Sequence, residues 1–400
     1  MSDVVASYFF RPRNGTSPDR AARAICEEGT SGTRGSIHAM TDYVPRLEGE
    51  VVGVTPHGEG YITRVRYPQE LFEPGNIAQY LSVVAGNVSG IADVDAIRLL
   101  DVEYPEPLVR PFKGPKFGIG GVRKLVGSNK RPHIGTIIRP KAGLTPEDTA
   151  AVAYEAAIGG VDLIIDSEIM ADQEFCPIGS RVPLVMERLE DAKDETGRQV
   201  LYAVNVTTRP DRIVERAARA IKLGANMILV DAFATGFGTL QLLAEDPAIR
   251  VPIHVHRTMH AALTRYPGHG IAMRPLAQII RLLGADQLQT GSVTGKTRHD
   301  AARVKLSMDV LTCQCHAVKP AFPVSGGGLH PVRVTRELEA SGTDIVLMAG
   351  AGIYGHPDGI AAGARAMRQA VDAYLERTPV EDYAKDHFEL ERALDHWDNR

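Results

Sequence analysis

GTIIRPKAGLTPEDTAAVAYEAAIGGVDLIIDSE, residues 135–168, decides the fold. It opens with a short apolar run, GTIIRP (135–140), that ends in polar residues. Thr145-Pro146-Glu147-Asp148 then supplies a helix N-cap with proline at the first helical position, where its missing N–H costs nothing. An amphipathic stretch follows as far as Gly159-Gly160, which marks the stop. A second apolar run, VDLIIDSE (161–168), begins at once. This is one strand–helix unit and the start of the next.

Outward from it the unit recurs. Apolar runs stand at LYAVNVT (201–207), MILVDAF (227–233), PIHVHR (252–257), QLQTGSV (287–293), AFPVSGG (321–327) and IVLMAGAG (345–352), with helical patterns such as RPDRIVERAARAIKLGA and RPLAQIIRLLGA between them. Eight units over roughly 220–250 residues is the size of a closed parallel (β/α)8 TIM barrel. An open doubly wound sheet is the alternative, but no G-x-G-x-x-G follows the first strand. Polar residues fall at or just beyond the ends of the runs: Arg139 and Lys141, Asp166 to Glu168, Asn205, Asp231, His256 and Arg257, Ser325, and Gly350. In a barrel these ends converge on the face that carries active sites.

The rest of the chain divides around this α/β barrel, which is expected over 135–378. Residues 1–110 contain a helical pattern, SPDRAARAICEEGT, and alternating runs, VVGVTPHGEGYITRVRYP and DVDAIRLLDVEYP. They predict a separate N-terminal α+β domain with an antiparallel sheet. The Pro-, Gly- and Lys-rich 111–134 reads as a link, and 379–400 as a helical tail covering the barrel's outside.

At 400 residues the chain is too long for one core. Lys+Arg 45 against Asp+Glu 49 leaves a formal charge of −4, so no basic excess exists to grip nucleic acid or an anionic membrane. No apolar run approaches a membrane span and the N-terminus lacks a signal-peptide core, so a cytoplasmic location is expected. Cys313-Gln-Cys315 is too tight for a zinc knuckle or a redox C-x-x-C and reads as apolar helix positions; no disulfide framework is indicated.

Several separated segments, in order and at barrel spacing, resemble the large subunit of RuBisCO over nearly the full length. GTIIRPKAGL resembles that family's first barrel strand with its lysine pair, and GGVDLIIDSE its second-strand motif ending Lys-Asp-Asp-Glu. HVHRTMHA is similar to the fifth-strand His-Arg with its following histidine, and TGSVTGKTRHD to the sixth loop with its lysine. VSGGGLHP and MAGAGIYGHPDG resemble the phosphate-binding glycine turns.

Departures set the expected activity. Ile165 stands where carboxylating members carry the lysine whose carbamate bridges to Mg²⁺, and Ser167 stands where an aspartate ligand is expected. Isoleucine cannot be carbamylated, and Asp166 and Glu168 alone make a poor Mg²⁺ site. The resemblance is therefore to a RuBisCO-like protein of the non-carboxylating form IV type, needing no cofactor, with Mg²⁺ doubtful. Arg139 replaces a proton-relaying lysine; an arginine can hold an anion or polarise a carbonyl but is a poor acid or base. Lys141 is read either as a desolvated proton-exchanging lysine or as a structural ion pair with a carboxylate such as Glu168.

The resemblance implies catalytic roles for Arg139, Lys141, His256, His260 and Lys296, with His256 transferring protons, and for Glu28 and Asn87 lent by a neighbouring subunit. It implies substrate or phosphate contacts for Thr33, Arg257, Ser325, Gly326, Gly327, Gly350 and Ala351. In the second phosphate site Arg257 and Ser325 persist but Gln289 replaces a histidine, so one phosphate site is expected rather than two; in the first domain Arg34 replaces a tryptophan. A homodimer with composite sites follows, with higher oligomers open. The expected reaction is C–C cleavage, by decarboxylation or hydrolysis, of a phosphorylated β-keto acid sugar such as 3-oxo-isoapionate 4-phosphate, in carbohydrate catabolism. The alternatives are proton transfer on a phosphorylated (methylthio)ketose by an enolase or isomerase, and a non-catalytic scaffold.

Overall fold

The computed structural model describes residues 3–32, 41–295 and 301–398; Thr33 and Lys296 lie outside the described residues. Contacts divide the chain into two compact units. One comprises Met1–Lys113, Met259–Leu282 and His316–Val318; the other comprises Gly114–Thr258, Leu283–Cys315 and Lys319–Arg400.

The first unit is built on a five-stranded sheet. Strand Val4–Pro12 pairs antiparallel with both Gly60–Tyr67 and Val94–Glu103, Glu50–His57 continues the sheet beyond Gly60–Tyr67, and Gly270–Ile271 pairs parallel with Val94–Glu103. Val4, Ala6, Tyr8 and Phe10 are buried while the residues between them are not, the period of two that a strand covered on one face requires. Helix Pro18–Glu28 begins at Ser17, whose Oγ accepts from the Arg20 N–H at 3.3 Å.

The second unit is the barrel. Strands His133–Ile137, Leu163–Ile165, Leu201–Asn205, Met227–Val230, Ile253–Val255, Gln287–Gln289, Phe322–Gly326 and Val346–Met348, here the first to eighth barrel strands, pair in parallel and close on themselves. The α/β barrel preceded by an antiparallel sheet is as the sequence predicts. All eight strands stop short of the predicted runs. Inside, Ile137, Ile165, Leu229, Phe322, Val324 and Met348 interleave with small Ala203. A Cβ on Gly135 would come within 2.8 Å of Met348 Cε, so glycine there leaves room for the methionine.

Three details differ from the expectations. The link 111–134 contains a helix, Gly118–Val126, whose Ile119, Val122 and Val126 join the barrel core. The glycines at its start hide this amphipathic spacing. The tail is two helices, Val380–Ala384 and Phe388–Asp398, the second packed against helices Pro331–Ser341 and Ile360–Leu375. Cys313 and Cys315 lie past the end of helix Ala301–Thr312, Cys313 exposed, and no disulfide forms among the described residues. No helix among the described residues is long and apolar enough to cross a membrane.

Candidate active site

Ile165 ends the second barrel strand with its side chain fully buried in the core. The next residue, Asp166, is buried against the helix that follows, Ile178–Thr196. Asp166 accepts from Arg181 Nη2 at 3.0 Å, Tyr202 Oη at 2.6 Å and the Asn205 N–H at 2.9 Å. Arg181 and Asp166 side chains are 0% and 1% exposed, an ion pair wholly out of water. Asn205 Nδ2 in turn donates to the carbonyls of Ser167 and Glu168, fixing the turn that aims Glu168. The expectation that Asp166 could share a Mg²⁺ is therefore corrected: its oxygens are taken by Arg181, Tyr202 and Asn205. Ile165 offers no donor atom and Ser167 donates its hydroxyl to Glu168 at 2.9 Å. Among the described residues no group of three or more His, Cys, Asp or Glu is placed to hold a metal ion. One carboxylate does not fit a hard divalent cation that needs several oxygens.

Glu168 instead binds Lys141, from the turn after the first barrel strand. Of the two readings of Lys141, the ion pair is the one the structure has. Burial alone would push the Glu168 carboxyl up, but its hydrogen bond from Lys141, with help from Ser167, holds it well below the usual carboxylate range. His256 sits beside this pair at the end of the fifth barrel strand. Its Nδ1 accepts the Thr258 N–H at 3.1 Å, and a backbone N–H can only donate, so Nδ1 carries no proton and Nε2–H does. Burial lowers the basicity of His256 and the charges of Arg257 and Lys141 lower it further, against the pull of Glu168, so the ring is a neutral donor.

Asp231, at the end of the fourth barrel strand, completes the cluster and was not among the expected site residues. Its Oδ1 is buried with no hydrogen-bond partner, 3.7 Å from His256 Nδ1. Burial pushes its carboxyl up to about 7; hydrogen bonds from Thr207 and Asn205 lower it and the Glu168 charge raises it. The only sequence signal was its position at a strand end.

Arg257 adjoins His256, and Arg139 follows the first barrel strand two residues before Lys141. Arg139 Nε lies 3.9 Å from where a Cβ on Gly350 would stand, and its Nη1 is buried with no hydrogen-bond partner. Arg139 thus lies beside the Gly350-Ala351 turn. Arg257 Nη1 donates to the Thr290 carbonyl at 2.9 Å and lies over Gly291. Gln289 Nε2 lies 3.3 Å from Nε2 of His254, a fully buried histidine whose Nδ1 meets Gln287 Oε1 at 2.9 Å.

Ser325 requires a correction. It is fully buried and donates its hydroxyl at 2.6 Å to Glu337 Oε1. Glu337, also fully buried, accepts in addition from Ser292 Oγ, the Val293 and Thr294 N–H groups and Thr294 Oγ1. Ser325 is thus a strut between its strand and residues 292–294, with no hydrogen left for a phosphate. Gly326 and Gly327 remain partly exposed beside it, and Gly327 takes φ 112°, which a side chain would strain. Nothing in the helical stretch around Glu337 distinguished it from a surface glutamate in the sequence.

Glu28, Asn87 and His260 belong to the first unit. Glu28 ends helix Pro18–Glu28, exposed Asn87 starts the turn Asn87–Gly90, and His260 starts helix His260–Thr264.

Asp231 makes stability depend on pH. A carboxyl near 7 in the folded chain and near 4 unfolded favours folding fully below about pH 4, and that contribution is lost as pH rises to about 7. Asp231→Asn removes this loss. Relative to the parent, the variant should gain on the order of 2–4 kcal/mol between pH 4 and 8, read by urea unfolding. Parallel pH dependence of the two proteins would show that Asp231 ionises normally.

Comparison with known proteins agrees with this architecture. Residues 118–397 match the family model of the ribulose bisphosphate carboxylase large chain, catalytic domain, and residues 1–108 match the N-terminal domain of the same large chain. A ribulose bisphosphate carboxylase of Pyrococcus abyssi is 38% identical over 396 residues, 99% of this chain and 93% of the relative. The octameric Rubisco of Pyrococcus horikoshii superposes with a TM-score of 0.94 at 37% identity, covering 99% of this chain and 93% of that one. A rubisco-like protein from Alicyclobacillus acidocaldarius superposes at 0.89 with 34% identity, covering 99% of each chain.

Proposed function

The chain belongs to the ribulose bisphosphate carboxylase large-chain family, and from that premise we propose that it is a non-carboxylating, RuBisCO-like member that decarboxylates a phosphorylated β-keto sugar acid without a metal. The observation that carries the proposal is the end of the second barrel strand, where Ile165 is buried in the core and Asp166 is locked to Arg181.

What remains at the barrel top is rich in electrophiles: the Lys141 ammonium and the His256 Nε2–H. Its nearest carboxylate, Glu168, is too weak a base to take a carbon-bound proton readily. Loss of CO₂ from a β-keto acid needs no base. The bond to the carboxylate breaks, its electron pair moves onto the ketone oxygen, and an enolate forms. Lys141, half exposed at the barrel top, and the largely buried His256 are the donors that stabilise that oxygen. The enolate then takes one proton at carbon, so one proton is consumed and one CO₂ released. Arg139, with the turns at Gly326-Gly327 and Gly350-Ala351, holds the phosphate, and Arg257 bounds the opposite side. The compound 3-oxo-isoapionate 4-phosphate has the required groups, and hydrolytic cleavage of the same bond is the variant outcome.

One observation favours a second reading. Asp231 has the proton affinity of a base working near neutral pH, which an enolase or isomerase acting on a phosphorylated ketose requires. The assembly we propose is at least a homodimer whose sites borrow Glu28 and Asn87 from the partner, in keeping with the oligomeric Rubisco it resembles.

The test is release of labelled CO₂ from carboxyl-labelled 3-oxo-isoapionate 4-phosphate by chelator-treated protein. Undiminished release supports the proposal, and isomerised product without CO₂ would favour the second reading. Fixation of labelled bicarbonate onto ribulose 1,5-bisphosphate would overturn both.

A further inference from the structure

His256 has two candidate partners at Nδ1, and they make opposite demands on the ring. The Thr258 N–H, 3.1 Å away, can only donate, and it leaves Nε2 protonated. Asp231 Oδ1, 3.7 Å away on the neighbouring barrel strand, can accept a proton from Nδ1 when ionised, and it is buried with no hydrogen-bond partner. A buried carboxylate oxygen without a partner is costly, so an arrangement that keeps one needs a reason. We propose that Asp231 selects the tautomer of His256 and thereby decides whether Nε2 donates or accepts a proton at the substrate.

The two states balance. With Asp231 protonated, Nδ1 accepts from Thr258 and Nε2–H is a donor. When the pair ionises, the Asp231 proton passes to Nδ1 and the Nε2 proton goes to solvent, so one proton is released in all. A small rotation of the ring closes the 3.7 Å gap, the Thr258 contact is released, and Nε2 gives its proton up and becomes a base. The imidazole stays neutral in both states, so the switch changes its hydrogen-bonding sense and not its charge.

The surroundings support such a switch near neutral pH. Asp231 faces Glu168 from the second strand, whose charge resists its ionisation, and Thr207 and Asn205 from the third, which favour it. His256 faces Glu168, Lys141, His254 and Arg257; all but Glu168 oppose a second ring proton. Each charge therefore bears on when Asp231 ionises, while the ring is kept from becoming a cation. Asp231 stands 3.7 Å from Nδ1 with an oxygen to offer.

The tautomer assignment needs no substrate; its consequence for rate rests on the decarboxylase reading. Full-length protein labelled with ¹⁵N-histidine, with the His256→Gln protein used to identify the signal, reports which ring nitrogen is protonated. In the parent protein, His256 should carry its proton on Nε2 at pH 6 and on Nδ1 at pH 8.5. In Asp231→Asn, which cannot ionise but keeps oxygen and nitrogen to meet Thr207 and Asn205, Nε2–H should persist at both values. An unchanged tautomer in the parent, or an equal switch in Asp231→Asn, would overturn the proposal. If decarboxylation is the reaction, kcat of the parent should fall roughly tenfold or more from pH 6.5 to 8.5, and that of Asp231→Asn much less. A tautomer switch with no change in rate would leave Asp231 as selector and instead remove His256 from the decarboxylase reading.

Discussion

Arg181→Leu should cost the protein about 3–5 kcal/mol of folding stability, because it strands Asp166 as an uncompensated charge in the interior. The guanidinium contacts Asp166 Oδ2, the Tyr202 hydroxyl, and the carbonyls of Cys176 and Ala171. Leucine replaces none of these hydrogen bonds. Asp166 would keep the Tyr202 hydroxyl and the Asn205 N–H, which are too few to hold a buried carboxylate. Adding Asp166→Asn should return more than half of the loss, since a neutral amide keeps an acceptor and sheds the charge. Urea unfolding followed by circular dichroism measures both. A single-variant loss below about 1 kcal/mol, with no recovery in the double, would mean that water reaches the pair. Because Asn205 joins Asp166 to the Ser167–Glu168 turn, the single variant should also lose activity at temperatures where it remains folded.

Lys141→Met should lower kcat on 3-oxo-isoapionate 4-phosphate by about 10²–10³-fold, the usual effect of removing one donor from a developing oxyanion. Methionine retains much of the stem's length and removes the charge. Arginine should not rescue, because a planar fork presents its donors differently from the compact ammonium that meets Glu168. Inorganic phosphate should bind the variant as it binds the parent, since the phosphate contacts proposed for Arg139 and the glycine turns are untouched. The loss of Lys141 also removes the strongest influence holding Glu168 down, so its titration should move up. A fall in kcat of less than tenfold would show that Lys141 only shapes Glu168. Loss of phosphate binding in step with kcat would assign it to the anion site instead.

Much of this protein was legible along the chain. The barrel was visible because each unit carries its own local signals: an apolar run, a cap such as Thr145 with Pro146, and a stop such as Gly159-Gly160. Such signals depend on a few adjacent residues and survive without tertiary context. At the position where the resemblance places the carbamate lysine, Ile165 has no chemistry to offer in any fold. The helix at Gly118–Val126 was missed because its glycines obscure three core residues spaced along one face.

The sequence by itself determined a (β/α)8 barrel with a separate antiparallel sheet, which polar residues stand at the strand ends, and that residue 165 is an isoleucine. Only the tertiary structure decided how those residues are used. Asp166 and Glu168 are two positions apart, yet one turns to buried Arg181 and the other to Lys141. Ser325 looked like a ligand until Glu337, from the following helix, took its hydrogen. The proton on His256 lies on Nε2 because of the Thr258 N–H, and Asp231 became notable only through an oxygen left without a partner. Each of these outcomes depends on which donor reaches which acceptor and on how much water is excluded. Those quantities arise when distant strands are brought side by side, and residue order along one strand does not contain them.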